Sequence, residues 1–415
     1  MPEKEYKWVE GATLDDHSKR KHKILREYFS NYLTVRCQIP QMNRFRLAVV
    51  DGFAGGGRYK CGAAGSPLIF AEELKRSLEA VNLKRSVQGL GQIDMECLLI
   101  VNDFSRDAIE TLKANLAPIQ AEIKSEVPKL HLRVEYLNDA FETAYSTIHQ
   151  LLTDGSYHNV IFNLDQCGHS KVNHSTLTQI MRSYRSVEIF YTFMITSLLT
   201  YLQANDPKKL AAQLRPFEIS VEEIQTQTIG MNKQQWLGAA ERIVFESFNG
   251  CAKYVSPFSI NNPEGWRYWL IHLANSHRAR QVYNDLLHNN SSEQAHFGRS
   301  GLNMLSYDPR HDSGALYLFD ISGRASALDR LMTDIPRLVS EFGNVVPVGE
   351  FYEGIYNATP AHSEDIHRAI IDNPDLEVVT PTGGERRSVK TISVGDIIQL
   401  KRQTSFFPVF FDKQF

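Results

Sequence analysis

Four short runs of this 415-residue chain hold side chains that could do chemistry, and each closes an apolar stretch. Asp51-Gly52-Phe53-Ala54-Gly55-Gly56-Gly57-Arg58-Tyr59 follows Leu47–Val50. Asn102-Asp103 follows Cys97–Val101, and Asn138-Asp139 follows Leu130–Leu137. Asn163-Leu164-Asp165-Gln166-Cys167-Gly168 ends the run that begins at Val160. Glycines in the first run allow positive φ and a close approach of backbone to a ligand. Carboxylates repeated at equivalent strand ends can gather round one ligand, because a nucleotide-like molecule lies across the carboxyl ends of parallel strands where their order reverses.

The order acidic-x-Phe-x-Gly-x-Gly is one that many S-adenosylmethionine (SAM) dependent methyltransferases carry after their first strand. SAM as cofactor assigns a job to each run. Asp51, Phe53, Gly55 and Gly57 would receive the methionine part, Asp103 the ribose hydroxyls and Asp139 the adenine amine. Any one of these aspartates alone reads as a helix cap or turn residue; three in succession favour the cofactor. A dinucleotide fingerprint would need glycine where Lys60 stands, and a P-loop would need Gly-Lys followed by Ser or Thr. Asp165, with Asn163, sits where an acceptor would be oriented towards the methyl group, which is positioning chemistry. Cys167 in the same loop admits a second reading, a thiolate nucleophile, against the commoner one of a small buried cysteine.

These runs must be positioned by strands and helices. Apolar residues at three- and four-residue intervals predict a helix from His17 to Cys37. Its basic members, Lys19, Arg20, Lys21, Lys23 and Arg26, read first as a solvated face and second as a phosphate-contacting edge. Strands at 45–50, 97–101, 130–137, 160–164 and 187–193 alternate with helices starting near Ser66, Ser105, Phe141 and Thr176. That alternation predicts an α/β fold with a doubly wound, mainly parallel Rossmann-like methyltransferase sheet. Leu74–Asp94 looks too long for a simple crossover and reads as an insertion. Beyond about residue 205 the rhythm changes to an α+β region with aromatic-rich strands. A helix at 363–371 and strands at 377–380, 388–392 and 397–401 around Thr382-Gly383-Gly384 suggest a winged-helix-like module. The expected division is therefore 1–205, 206–345 and 346–415.

Composition is that of a soluble globular protein: 42% hydrophobic, 22% charged, net charge -3. Nucleic acid, if bound, must be held by local patches, and Arg386, Arg387 and Lys390 on the candidate wing are such a patch. Lys401 and Arg402 lie beyond it. Tyr254, Trp266, Tyr268 and Trp269 offer either base-stacking faces or a second core. Five scattered cysteines make neither a disulfide framework nor metal spacing. A cytoplasmic protein with no structural metal and no membrane span is the expectation.

The glycine-rich run, with Gly65-Ser66-Pro67-Leu68 after it, resembles the three-Cys-motif partner protein family (TcmP). Tyr268-Trp269-Leu270-Ile271-His272-Leu273-Ala274-Asn275-Ser276-His277 and the stretch 357–400 are similar to later parts of that family. The resemblance implies a bacterial methyltransferase-like protein acting beside a partner that itself bears the three-cysteine motif. The family reads Asp-Pro-aromatic-Gly after its fourth strand. This chain keeps Asp165 and Gly168 and departs at Gln166 and Cys167. Two functions follow as expectations: methylation of a nucleic-acid base or nucleic-acid-associated target, or a catalytically inactive scaffold of the same fold that binds nucleic acid or a partner protein.

Overall fold

Leu47 to Val50 are completely buried, as are Leu99 to Val101, and this double-sided burial is what a central parallel strand demands. The computed structural model describes residues 8, 11–166, 168–202, 206–231, 233–256, 259–261, 267–290, 294–297, 316–318 and 321–401. Helix α1 (Asp16–Cys37) leads into β1 (Arg44–Asp51), α2 (Ser66–Val87), β2 (Asp94–Asn102), α3 (Arg106–Glu126), β3 (Leu130–Leu137), α4 (Phe141–Asp154), β4 (Asn159–Leu164), α5 (His174–Ser183) and β5 (Ser186–Phe193). The five strands are parallel in the order β3-β2-β1-β4-β5. The order reverses between β1 and β4, which fixes the crevice where a ligand would be expected.

The stretch read as an insertion is ordinary crossover. α2 simply continues to Val87, and Arg85 in its last turn explains the length. Its buried guanidinium donates to the carbonyls of Cys37, Ile39, Pro40, Met42 and Gly91, tying together the α1–β1 and α2–β2 connections. Helix α3 likewise outruns its expected end at Leu116, passing through Pro118 to Glu126. Ser105 caps it as anticipated, its hydroxyl accepting from the Ala108 N–H at 3.3 Å.

Short helices α6 (Ile195–Tyr201), α7 (Pro207–Leu214), α8 (Val221–Gln227) and α9 (Lys233–Ser247) follow β5. Strands β6 (Tyr254–Ser256) and β7 (Ser259–Asn261) then pair antiparallel with β8 (Arg267–Ala274). Because β8 pairs antiparallel with β5 itself, residues after 206 extend the first sheet rather than build a separate domain. Strands β9 (Gln294–Phe297) and β10 (Leu316–Leu318) continue that sheet after α10 (His277–Asn289). The described residues thus fall into two compact units, up to Leu318 and from Ile321 onward, where three had been expected. Tyr254 and Trp269 are buried in the first unit and belong to its core; Trp266 lies outside the described residues.

Helix α1 is held at two heights. Arg26 pairs with Glu72 and Glu73 of α2 at 2.7 and 2.8 Å. Tyr28 donates its hydroxyl to Glu188 of β5 at 2.5 Å, and the same carboxylate oxygen lies 3.0 Å from His272 Nε2 of β8. Burial pushes the Tyr28 phenol well above its usual range, so it stays a donor.

The second unit has α11 (Ile321–Glu341), β11 (Val345–Pro347), α12 (Val348–Ile355), α13 (Ser363–Ile371), β12 (Leu376–Val379) and β13 (Ile397–Leu400). Its strands pair antiparallel in the order β11-β13-β12. Residues 388–392, expected as a strand, contain a 3₁₀ turn at Val389–Thr391; β11 supplies the third strand instead. The expected glycine turn is present: Gly383 has φ +87°, and Thr380 N–H donates to Gly384 O at 2.7 Å.

Tyr28→Phe removes one of two partners from a buried carboxylate and is expected to destabilise the protein by about 1–3 kcal/mol. Urea unfolding measures it; an unchanged midpoint would show that the Tyr28–Glu188 bond does not hold α1.

Candidate functional site

The described strand-end residues singled out in the sequence lie at the carboxyl edge of the parallel sheet. Asn102, fully buried at the end of β2, organises them. Its amide N–H₂ donates to Gly52 O at 3.1 Å and Asp139 O at 3.0 Å, while its carbonyl accepts from Asp139 N–H at 3.3 Å. The loops after β1, β2 and β3 are thereby one assembly. Gly52 N–H also donates to Asn163 O, and Ala54 N–H to Asn102 O, both at 2.9 Å.

Asp103 completes the glycine loop. One carboxylate oxygen accepts from Gly55 N–H and the other from Ser105 N–H, each at 2.9 Å. Gly55 has φ +59° and Gly57 φ +80°, so both need glycine. A Cβ on Gly57 would meet Leu112 at 2.5 Å; one on Gly55 would meet the Trp8 indole at 2.3 Å. Trp8 thus covers the outer face of the loop, with Tyr59 5.3 Å away and His22 5.7 Å beyond Tyr59. Phe53 packs near Phe141 at 5.8 Å, and Asp139 is exposed at the rim. Phe104 beside Asp103 is 80% exposed, an aromatic face at the strand rim that sequence reading passed over.

Two carboxylates occupy the crevice between β1 and β4. Asp51 is wholly buried. Asn163 donates to Oδ1 at 3.2 Å, but Oδ2 has no well-formed hydrogen bond among the described residues. Burial pushes the Asp51 carboxyl up to about 7, against the opposing pull of the nearby Ser66 hydroxyl and Asn163 amide. Asp165 has gone the other way. Burial alone would raise it, yet the Lys21 ammonium and the Thr192 hydroxyl hold it below the usual carboxylate range. Lys21 Nζ lies 2.5 Å from Asp165 Oδ1, with the lysine side chain 9% exposed and the aspartate 23%.

Lys21 is the residue of this candidate site that the sequence hid. It stood in a basic run that reads as a solvated face, yet it lies on the buried side of α1, seven residues and two turns before Tyr28. His22 beside it is pushed down to about 4 by burial and is neutral at physiological pH. Gln166 is a brace: it is buried, donates to Tyr191 Oη at 2.6 Å and accepts from Lys171 N–H at 2.8 Å. Cys167, the candidate nucleophile, lies outside the described residues.

Two surface grooves lie elsewhere. One of about 440 Å³ runs between α2 and α3 past Arg58, Lys75 and Asn115; another of about 800 Å³ lies at the amino ends of β1–β3 past Arg44 and Glu96. Neither is lined by a strand-end carboxylate of the rim.

In the second unit, Arg386 is held internally. Its guanidinium grips Asp396 with Nε–Oδ2 at 3.0 Å and a second bond at 3.2 Å, and Asp396 also accepts from Ser393 N–H. Arg387 is exposed and lies 3.2 Å from Glu385. Lys390 is exposed; Arg402 lies outside the described residues.

Residues 306–383 match the family model described as a GMT-like wHTH domain, a winged helix-turn-helix. The match begins earlier than the boundary read from the sequence, taking in β10 of the first unit, and ends at Gly383, before Arg386, Arg387, Lys390 and β13. A search of curated proteins found no match to the chain. No described helix is long and apolar enough to cross a membrane.

The raised Asp51 pKa has a stability consequence with a defined sign. Unfolded, this carboxyl titrates near 3.8; folded, near 7. Between those values the native state keeps a proton that the unfolded chain has lost. The stabilisation is complete below pH ~4 and vanishes as pH rises through 7. Asp51→Asn cannot ionise, so relative to wild type it should gain ~2–4 kcal/mol between pH 4 and 8. Urea midpoints across that range measure the gap; a gap independent of pH would refute the buried-carboxylate account.

Proposed function

We propose that the protein is a SAM-dependent methyltransferase acting on nucleic acid or a nucleic-acid-associated target. The observation that carries this reading is the buried, under-bonded Asp51 carboxylate beside a glycine loop, at the point where strand order reverses. A cofactor bearing an ammonium group would add a charged donor to the Asp51 carboxylate, whose Oδ2 has no well-formed hydrogen bond among the described residues although the Ser66 hydroxyl and Phe53 N–H lie near it. Gly55–Gly57 give it backbone where any Cβ would collide. Asp103 retains acceptor capacity for ribose hydroxyls, since each carboxylate oxygen accepts more than one bond. Phe104 offers an apolar face for an adenine ring, and Asp139 an exposed acceptor. SAM would bring a methyl group already activated on a sulfonium. The chain's own residues then have only to bind, orient and shield, with Asp165 and Asn163 at the acceptor end.

The winged module supports nucleic acid as the target class, and its exposed wing cations are Lys390 and Arg387, the latter paired on the surface with Glu385. Acidic residues outnumber basic ones over 321–401, so such contact would be local. A protein partner with a three-cysteine motif follows from the family resemblance alone. One observation favours a scaffold without catalysis: Gln166 is locked as a brace where related proteins are expected to carry proline. That reading predicts SAM binding with no methyl transfer to any fraction.

Calorimetric titration with SAM, alongside tritiated-methyl transfer to separated RNA, DNA and protein fractions, tests the proposal. Asp103→Ala should weaken SAM binding at least tenfold, about 1.4 kcal/mol. Asp165→Ala should leave binding within about twofold and abolish transfer. Undiminished affinity in the Asp103 variant would defeat the cofactor assignment.

The wing makes a separable prediction. Replacing Arg387 and Lys390 by alanine should lower nucleic-acid affinity and reduce the salt slope by about 2. Arg386→Ala should instead cost ~1.5–3 kcal/mol of stability, because Asp396 loses its charged donor. Fluorescence anisotropy across salt concentrations and urea unfolding separate the two roles; an unchanged slope in the double variant would move the contact off the wing.

A further inference from the structure

The acceptor end of the site has a donor–acceptor pattern of its own. Asp165 offers only acceptors and Lys21 only donors. One lysine N–H is spent on Asp165 Oδ1 at 2.5 Å. The ammonium has two further N–H bonds, and no other partner for it occurs among the described residues. The pair opens through its carboxylate, 23% exposed against 9% for the lysine. A group entering here meets a donor and an acceptor side by side.

An exocyclic amine on a nucleic-acid base fits this poorly. Its nitrogen lone pair is drawn into the ring, so it presents donors only, and the Lys21 N–H groups would face it with nothing to bond. A carboxylate fits poorly too, since it would be driven against Asp165 with Asp51 close behind. A hydroxyl fits both halves, donating to Asp165 while accepting from Lys21. We propose that Lys21 and Asp165 together select a hydroxyl as the methyl acceptor, specifically the ribose 2′-hydroxyl of RNA. The inference rests on the methyltransferase reading above and names its acceptor atom. The 2′-hydroxyl is the group in RNA that both donates and accepts and that DNA lacks.

The balance of the step is simple. The hydroxyl oxygen gains the methyl group and its proton passes to the Asp165 carboxylate. The electron pair of the broken carbon–sulfur bond stays on sulfur, leaving a neutral thioether. Asp165 need be only a weak base, because that proton becomes acidic as the carbon–oxygen bond forms. Lys21 holds the oxygen lone pair in register and keeps the carboxylate ionised.

The full chain is incubated with tritiated-methyl SAM and total cellular RNA, and the RNA is digested to nucleosides. Label on ribose supports the proposal. Label on a base leaves the methyltransferase reading standing and overturns this one; label on protein or DNA does the same. No label in any fraction, despite calorimetric SAM binding, removes both. A second readout needs no cofactor: anisotropy with random-sequence RNA and DNA pools of equal length. Wild type should prefer RNA. Lys21→Arg keeps the charge and the ion pair, so the fold survives, but its planar fork engages both oxygens of Asp165. It should reduce the RNA preference towards unity and slow transfer at least a hundredfold, with SAM affinity and urea midpoint unchanged. Lys21→Met should do the same with some loss of stability. A Lys21→Arg variant that transfers at the wild-type rate and keeps its RNA preference would show the pair to be structural only.

Discussion

Two carboxylates at neighbouring strand ends cannot both be buried and charged without compensation. The rim of this protein meets that constraint in two ways. Asp165 keeps its charge because a lysine is brought to it, while Asp51 gives up part of its acidity. Bringing the lysine requires a helix that precedes the sheet in sequence yet lies against its far strands. That requirement accounts for the Tyr28–Glu188–His272 chain, the Arg26 pairs to α2 and the Arg85 knot beneath. These contacts are the means by which a cation from α1 reaches the end of β4.

The same reasoning applied to the second unit gives a different outcome. Arg386, Arg387 and Lys390 looked equivalent as a basic cluster at a hairpin tip. Asp396 separates them. It is buried, it must be satisfied, and Arg386 satisfies it with two bonds. The arginine is thereby drawn into the architecture of the wing, whereas Lys390 and Arg387, the latter paired with Glu385, remain on the surface.

Local patterns in the sequence made much of this legible. The five parallel strands fall within a few residues of their expected limits because their apolar runs end in polar, turn-forming residues. Ser105 and Gly383 behave as their chemistry dictates. What the sequence concealed is what depends on distant partners. Lys21 could not be told from Lys19 or Lys23 by type or spacing, since only the docking of α1 decides which is buried. The extent of α2 was obscured because the carbonyls bound by Arg85 come from segments more than forty residues earlier. The boundary near 205 was misplaced because β8 joins β5 across some eighty residues, a pairing that composition does not encode. Trp8 and Phe104 are isolated aromatics whose meaning comes wholly from what stands beside them.

The sequence distance between α1 and the strands it docks on has a consequence for biosynthesis. A ribosome delivers Lys21 and Tyr28 long before Asp165 and Glu188, with sequence separations of 144 and 160 residues respectively. α2 offers Phe70 to Phe29 and two carboxylates to Arg26 early, but Tyr28 has no Glu188 to bond until β5 emerges. Part of that helix face therefore waits while more than a hundred further residues are added, and the pocket cannot close until β4 and β5 have been made.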